Sequence, residues 1–128
     1  MNNCNEIEQE IQAKGLTAPR VTPFALEANI VSEHYFTAYD GRFGALKNGS
    51  YVGREVPKVN DDDLAALELL TFCVIVLRNG FTVTGESACA SPENFDAELG
   101  RKIARQNAVQ KMWPLMGYAL KERLSTKP

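Results

Sequence analysis

The sequence has no long hydrophobic run, few cysteines and none of the short motifs that mark common enzymes. No apolar stretch approaches the roughly 20 residues that a membrane-spanning helix needs, so no membrane segment is predicted. The three cysteines, Cys4, Cys73 and Cys89, are odd in number and far apart, which argues against a disulfide framework and against a zinc site. Walker, GxGxxG and HExxH patterns are missing, and no nucleophile has a base and an orienting group beside it. The sequence therefore predicts a non-catalytic protein with no cofactor and no metal.

The size and the composition are those of one small globular unit. The 128 residues suit a single domain, 1–128, with one modest core. The first residues, MNNCNEIEQEIQ, are polar and acidic and do not resemble a secretory signal, so a cytoplasmic protein is expected.

Charge is distributed unevenly along the chain. Residues 1–98 carry 7 Lys and Arg against 15 Asp and Glu, whereas residues 99–128 carry 7 against a single acid, Glu122. A basic segment on an acidic protein suggests an anionic partner. An equally good interpretation is that the basic segment lies against the acidic part of the same molecule.

The first half of the chain predicts helices separated by a long connection. Ile7 and Ile11 lie one turn apart among charged residues, which predicts an N-terminal helix within residues 1–15 that ends at Gly15. Thr22 followed by Pro23 is typical of a helix start, and the spacing of apolar residues extends that helix over 23–34. Residues 35–39 fit either a continuation of the helix or a strand. The glycine-rich stretch 40–60 is predicted to be an irregular loop insertion, and 62–68 a short helix.

Residues 69–124 carry the strongest pattern and are predicted to form the core. The run LLTFCVIVL at 69–77 indicates a strand buried on both faces, and Asn79-Gly80 a two-residue type I′ turn. The alternation in 81–86 indicates a second strand with Phe81 and Val83 inward. Ser91-Pro92 is predicted to open a helix that runs to about Met112, with Leu99, Ile103 and Ala108 inward, and Pro114 to separate it from a second helix over 114–124 that carries Leu115, Tyr118 and Leu124 on one side.

These elements predict an α+β fold. Its centre is an antiparallel β-hairpin, widened to a small sheet by residues 35–55 or by a second subunit, and covered by the two C-terminal helices.

The main candidate site is a cluster of basic residues on the long helix, Arg101, Lys102 and Arg105. Arg101 and Arg105 are four residues apart, so their guanidinium groups lie side by side and suit a phosphate group. Arg78, beside the hairpin turn, and Arg123 are candidates to join them. The alternative is a solvated or internally paired helix face.

Three further groups are candidates for a binding site. His34, Tyr35 and Phe36 are an aromatic group that could stack on a nucleobase, or that could belong to the core. Glu86 could accept a ribose hydroxyl, or pair with an arginine of the helix. Trp113 could be a packing anchor or an interface residue.

The run NGFTVTGESACASPENFDAELGRKIARQNAVQKMWPLMGY, together with the earlier IVSEHYFTAYDG, resembles a family of small tailed-phage proteins named after gene 49 and gene 66 of enterobacterial phages. The resemblance covers residues 21–41 and 69–124, and residues 42–59 look like an insertion relative to shorter members. It implies a phage accessory protein in the host bacterial cytoplasm and supplies no activity. The shorter run RKIARQNA is faintly similar to the helix of phage sponges that trap signals of the cyclic ADP-ribose type.

The phage context favours a binding function. The first hypothesis is a homo-oligomeric sponge that sequesters a small anionic nucleotide signal of host antiviral defence. The alternative is a protein–protein inhibitor that docks on a host enzyme or a defence effector, through residues 40–60 and the acidic half. Direct binding of nucleic acid is disfavoured by a pI of about 5.4, because it requires the neutralisation of many phosphates.

Overall fold

The computed structural model describes residues 3–50 and 62–126. Its helices are α1 (Asn3–Ala13), α2 (Pro23–Ala28), α3 (Ala38–Lys47), α4 (Asp62–Ala65) and α5 (Ala97–Ser125). Its strands are β1 (Ile30–Thr37), β2 (Leu70–Leu77) and β3 (Thr82–Ala88), and 3₁₀ turns cover Ala66–Leu69 and Pro92–Asn94. The three strands form one antiparallel sheet in the order β1-β2-β3. The predicted α+β fold is therefore confirmed. The strand that widens the hairpin is β1, most of which precedes the residues 35–55 that were predicted to do so.

The β2–β3 connection is a three-residue loop and not the predicted type I′ turn. Gly80 N–H donates to Leu77 O at 2.9 Å, and Leu77 N–H donates to Phe81 O at 2.9 Å. Gly80 has φ +87°, whereas no non-glycine residue among those described has a positive φ. This is a type I turn that is closed by a left-handed glycine, and a type I′ turn would need a positive φ at Asn79 as well. The longer loop also leaves Phe81 outside β3 and 56% exposed, so its predicted inward position is wrong.

One face of the sheet is covered by α5 at very short range. A Cβ atom on Gly85 of β3 would lie 2.1 Å from Ala104 O and 2.3 Å from Ala108 N, so the backbones of β3 and α5 touch there. Such an approach is available only to glycine opposite small residues. The core lies between these two layers and consists of Leu26, Cys73, Ile75, Leu77, Val83, Ala104, Ala108 and Met112.

This close approach decides which side of α5 faces inward. The buried positions are Gly100, Ala104, Ala108 and Met112, whereas Leu99 is 53% exposed and Ile103 is 37% exposed. The predicted inward positions of Leu99 and Ile103 are therefore wrong, and that of Ala108 is confirmed. Large side chains cannot fit where two backbones touch, so the small residues take the inner side of the helix.

The long helix also differs from the prediction at both ends. It begins at Ala97, where Asp96 caps it by accepting a hydrogen bond from Leu99 N–H, so Ser91-Pro92 opens only a 3₁₀ turn. Pro114 lies inside the continuous helix and does not break it. Proline removes one backbone hydrogen bond there, and its exposed position leaves the freed carbonyl open to water.

The first half contains two further corrections. The helix predicted over 23–34 ends at Ala28, because the β-branched residues Ile30 and Val31 begin the strand that pairs with β2. Part of the predicted loop 40–60 is helical, because Thr37 and Asp40 form a capping box that starts α3. Residues 51–60 of that prediction lie outside the described residues. The N-terminal helix and its end at Gly15, which has φ +68°, are confirmed.

Candidate functional site

A cleft rich in arginine lies where α2, the hairpin turn and the C-terminal part of α5 meet. We call it the arginine cleft. It has a volume of about 390 Å³. Its polar lining is Arg20, Asn29, Arg78, Asn79 and Arg123, and its apolar lining is Val21, Ala25, Met116, Ala119 and Leu120. Arg78 and Arg123, which the sequence singled out, are brought together here. The other predicted basic residues do not line it.

The polar groups of the arginine cleft are hydrogen-bond donors. The Asn29 side-chain oxygen accepts from Arg78 N–H at 3.3 Å, and the Asn79 side-chain oxygen accepts from Phe81 N–H at 2.9 Å. Each amide therefore uses its oxygen within the fold and keeps its NH₂ donors. No Asp or Glu lines the cleft, and in 3–50 and 62–126 neither Arg78 nor Arg123 has a carboxylate partner. The cleft consequently suits a ligand that carries acceptors and negative charge.

The third arginine of the cleft is already paired. Arg20 donates from Nη1 and Nη2 to the two carboxylate oxygens of Glu8 on α1, at 2.6 and 2.8 Å. Gln12 donates a further bond to the same carboxylate at 2.8 Å. The bonds from Arg20 and then Gln12 lower the pKa of Glu8 to about 2. The carboxylate of Glu8 thus neutralises one of the three guanidinium groups.

Arg105, predicted as a ligand residue, is surrounded by carboxylates of its own molecule. Its Nε donates to Glu33 at 2.9 Å and its Nη2 to Glu27 at 2.9 Å, and Tyr35 donates its hydroxyl to Glu33 at 2.6 Å. The bond from Arg105 holds the pKa of Glu33 below its usual range, while burial and then the bond to Glu33 raise the pKa of Tyr35. Of the alternatives stated for the basic helix, internal pairing describes Arg105. A ligand role for it stays a prediction.

Arg101 and Lys102 lie on different sides of α5. Both are exposed, and Lys102 is 3.9 Å from Glu98, one turn away. Leu99, Lys102 and Ile103 lie on one exposed side of the helix, which we call the outer α5 surface and define by these three residues. Arg101 is two positions from Leu99 and from Ile103, so it projects away from them, on the side of Arg105.

The aromatic group His34–Phe36 is divided between the two faces of the sheet. Tyr35 lies opposite Cys73 in the register and packs against the core, as the alternative interpretation had it. His34 and Phe36 point to the other face with Phe72, whose ring centroid is 5.8 Å from that of Phe36. Helix α3 covers one edge of this side, since a Cβ atom on Gly41 would lie 3.8 Å from the ring of Phe36. We call the side, with the half-buried Val74 and the exposed Thr84, the open sheet face. The prediction that β2 is buried on both faces is wrong for this side.

Residues of the runs GESA (85–88) and RKIARQNA (101–108) have structural roles here. Gly85 touches α5, and Asn107 donates to the backbone carbonyl of Glu86 at 2.7 Å, which joins the helix to the outer edge of β3. Glu86 pairs with Lys111 at 3.8 Å rather than with the arginine that was predicted. The run RKIARQNA therefore contains the packing alanines, the paired arginine and the edge-binding asparagine.

Trp113 packs against the core and lies outside the cleft lining. Its indole Nε1 is buried without a hydrogen-bond partner among the residues that the structure describes. Its predicted role as a packing anchor is confirmed, and its ligand role stays a prediction.

The sequence did not point to Arg20, Asn29 or Asn79 as site residues. Arg20 follows a proline in a connector, Asn29 ends a helix and Asn79 belongs to a turn, so each had a sufficient local explanation. Arg78 next to Asn79-Gly80 was the one local signal. The cleft combines three separate parts of the chain, residues 20–29, 78–79 and 116–123, which only the tertiary structure brings together.

Two classes of site find no support within the described parts of the chain. No group of three or more His, Cys, Asp or Glu in residues 3–50 and 62–126 could hold a metal ion. Nor does any helix in these ranges combine the length and the apolar character that crossing a membrane requires.

Residues 21–124 match the Phage protein (N4 Gp49/phage Sf6 gene 66) family. Because this match covers most of the 128 residues, the chain belongs to that family, and the resemblance stated from the sequence is confirmed. No curated protein and no solved structure matches the chain.

Proposed function

From membership of this phage protein family, we propose that the chain is a non-catalytic accessory protein of the host cytoplasm that binds and sequesters a small phosphorylated nucleotide signal of antiviral defence. The observation that supports this proposal is the arginine cleft, whose polar groups are donors and whose charges are positive. A phosphate group offers only acceptors, and guanidinium groups bind it through paired, charge-assisted hydrogen bonds.

The volume and the apolar lining of the cleft agree with such a ligand. Its volume of about 390 Å³ falls in the range of small-molecule sites, which is roughly 300 to 1,000 Å³. The apolar lining from α5, Met116, Ala119 and Leu120, supplies a surface for a base or a sugar. Arg78 and Arg123, which lack carboxylate partners among the described residues, supply the contacts to phosphate.

The outer α5 surface supports the proposal of a homo-oligomer. Leu99 and Ile103 expose 53% and 37% of their surface beside Lys102. Exposed apolar side chains next to a basic one suit an interface in which two copies contact each other and share an anion. In such an assembly Lys102, with Arg101 from another side of the helix, forms the second candidate site for the same class of ligand.

Calorimetry with ADP-ribose and a panel of cyclic dinucleotides tests the function. Arg78→Ala and Arg123→Ala should each weaken binding about tenfold or more, since each removes a charged hydrogen-bonding group from the phosphate. Lys121→Ala is the matched control, because it removes a positive charge from the exposed surface of the same helix. Absence of binding by the wild-type protein contradicts the function.

The same measurements separate the two candidate sites. If Arg101→Ala and Lys102→Ala abolish binding while Arg78→Ala and Arg123→Ala do not, the ligand binds at the N-terminal part of α5, at or next to the outer α5 surface. Light scattering of the wild-type protein and of Ile103→Asp then shows whether that surface joins subunits.

A second candidate function, inhibition of a host protein by docking, is favoured by the open sheet face. Phe36 is 38% exposed there, next to the half-buried Phe72 and Val74. A pull-down from host lysate should recover one stoichiometric partner, and Phe36→Ser should lose it while Phe24→Ser, which changes an 83% exposed residue of α2, keeps it. A partner that both variants still bind contradicts docking at this face.

A further inference from the structure

The arginine cleft contains one guanidinium group that is paired and two that have no carboxylate partner in the described part of the chain. The carboxylate that pairs with Arg20 belongs to Glu8 of α1, which is not part of the cleft lining. Both oxygens of Glu8 are used, so the contact has the two-pronged geometry that a phosphate group would adopt on the same guanidinium. Glu8 therefore occupies the position of an anion.

Among the residues that the structure describes, few other contacts hold α1 in place. From Asn5 to Ala13, Glu8 and Ile11 are half-buried and the other side chains are exposed, with Ile7 at 56%. The Glu8–Arg20 pair is thus a major part of the attachment of α1. Separating α1 from Arg20 would uncover little apolar surface, so a competing anion meets a small opposing free energy.

We propose that Glu8 is an internal anion that occupies Arg20 in the free protein and is displaced by the phosphorylated ligand, so that α1 sets the affinity of the arginine cleft. This inference rests on the proposed function, because it assumes that the cleft binds phosphate groups. It adds a specificity rule. A ligand with a single phosphate can use Arg78 and Arg123, whereas only a ligand with more negative charge also competes with Glu8 for Arg20.

The test measures the binding of ADP-ribose and of inorganic pyrophosphate to the full chain by calorimetry. Glu8→Gln removes the competing charge and should bind both probes roughly three- to tenfold more tightly than the wild type. Glu10→Gln is the matched control, because Glu10 lies on the same helix and pairs with Lys14 at 3.2 Å, away from the cleft. Its affinity should stay within about twofold of the wild type.

A double-mutant cycle separates competition at Arg20 from a general change of charge. In an Arg20→Ala background, Glu8→Gln should no longer change the affinity, because the site of competition is gone. Hydrogen exchange gives a second readout. Addition of pyrophosphate to the wild type should increase the exchange of the α1 amides, and pyrophosphate should have no such effect on α5.

The outcomes distinguish this inference from the proposed function. If the wild type binds, Arg78→Ala weakens binding and Glu8→Gln matches Glu10→Gln, the proposed function holds and the inference is wrong. Weaker binding by Glu8→Gln also overturns the inference, because Glu8 would then orient Arg20 for the ligand. If neither the wild type nor Glu8→Gln binds a probe, the proposed function and the inference both fail.

Discussion

The covered face of the sheet and the arginine cleft differ in how their guanidinium groups are paired. Under α5, Arg105 is bonded to two carboxylates, and the backbones of α5 and β3 touch at Gly85. In the cleft, Arg78 and Arg123 have no carboxylate partner among the described residues, and the two asparagines use their oxygens elsewhere. Arg105, half-buried with its partners, stabilises the fold, whereas Arg78 and Arg123 remain available to a ligand. The comparison shows that the number of arginines on a helix does not indicate a binding site until their partners are known.

The largest effect is expected where the covered face is tightest. Gly85→Ala places a methyl group within 2.3 Å of two backbone atoms of α5, so the helix must move, and we expect a loss of about 3 kcal/mol or more in the free energy of unfolding. Gly117→Ala is the matched control. Its Cβ meets nothing within 4 Å, and alanine should stabilise the helix there by about 0.5–1 kcal/mol. Urea denaturation of both variants measures the difference. A Gly85→Ala variant as stable as the wild type would contradict the close approach.

Replacement of the paired Arg105 should lower the free energy of unfolding more than replacement of the exposed Arg101, one turn earlier. Arg105→Ala leaves the half-buried carboxylate of Glu33 without its charged partner, and the partial exposure of the pair limits the expected loss to about 1–2 kcal/mol. Arg101→Ala should change the stability by less than about 0.5 kcal/mol. Thermal unfolding of the two variants checks this order. Equal losses would show that the carboxylates add nothing to the role of Arg105.

Low pH should reduce the stability of the folded protein, because it protonates Glu33 on the covered face of the sheet. Its pKa is lowered in the folded protein from an ordinary value of 4.5, chiefly by the bond from Arg105, so the unfolded chain takes up the proton first as the pH falls. The stabilisation is therefore complete at neutral pH and is lost as the pH falls below about 4.5. The melting temperature of the wild type should fall more steeply than that of Glu33→Gln as the pH is lowered from neutral to below about 4.5. Glu93→Gln, a change at an exposed residue, should follow the wild type.

The smallest effect on stability is expected in the cleft. Arg78→Ala and Arg123→Ala break no ion pair among the described residues, so each should change the free energy of unfolding by less than about 0.5 kcal/mol. Urea denaturation without ligand is the measurement. A loss above about 1 kcal/mol for either variant would mean that the cleft, like the covered face, serves the fold.

Local signals were sufficient for part of the fold. The apolar, β-branched run before Asn79-Gly80 predicted β2 and the hairpin, and Thr22-Pro23 predicted the start of α2 through its cap. Predictions were wrong where the conformation of a segment depends on its contacts with another part of the chain. Leu26, Ile30 and His34 lie four residues apart, a spacing that predicts a helix. The residues from Ile30 onward instead form a strand, because they pair with β2. Pro114 locally favours a helix break, but packing along the rest of α5 keeps the helix continuous there.

The candidate site shows the same division. The sequence indicated Arg78 and Arg123 as candidate ligand residues, but it grouped them with Arg105 and not in a site of their own. Glu27 and Glu33 lie 78 and 72 positions from Arg105, so no local pattern could indicate that they pair with it. Arg20 and Asn29 had no signal at all, because their role depends on what lies across the cleft.

The sequence by itself determined the hairpin, the start of α2 at Thr22-Pro23, the end of α1 at Gly15, the uneven charge and membership of the phage protein family, because these depend on neighbouring residues or on characteristic runs. Only the tertiary structure decided which side of α5 faces inward, which arginine has partners and where the donors of the cleft meet. These depend on contacts between distant parts of the chain, and the contact at Gly85 determines which side chains of the helix point toward the sheet.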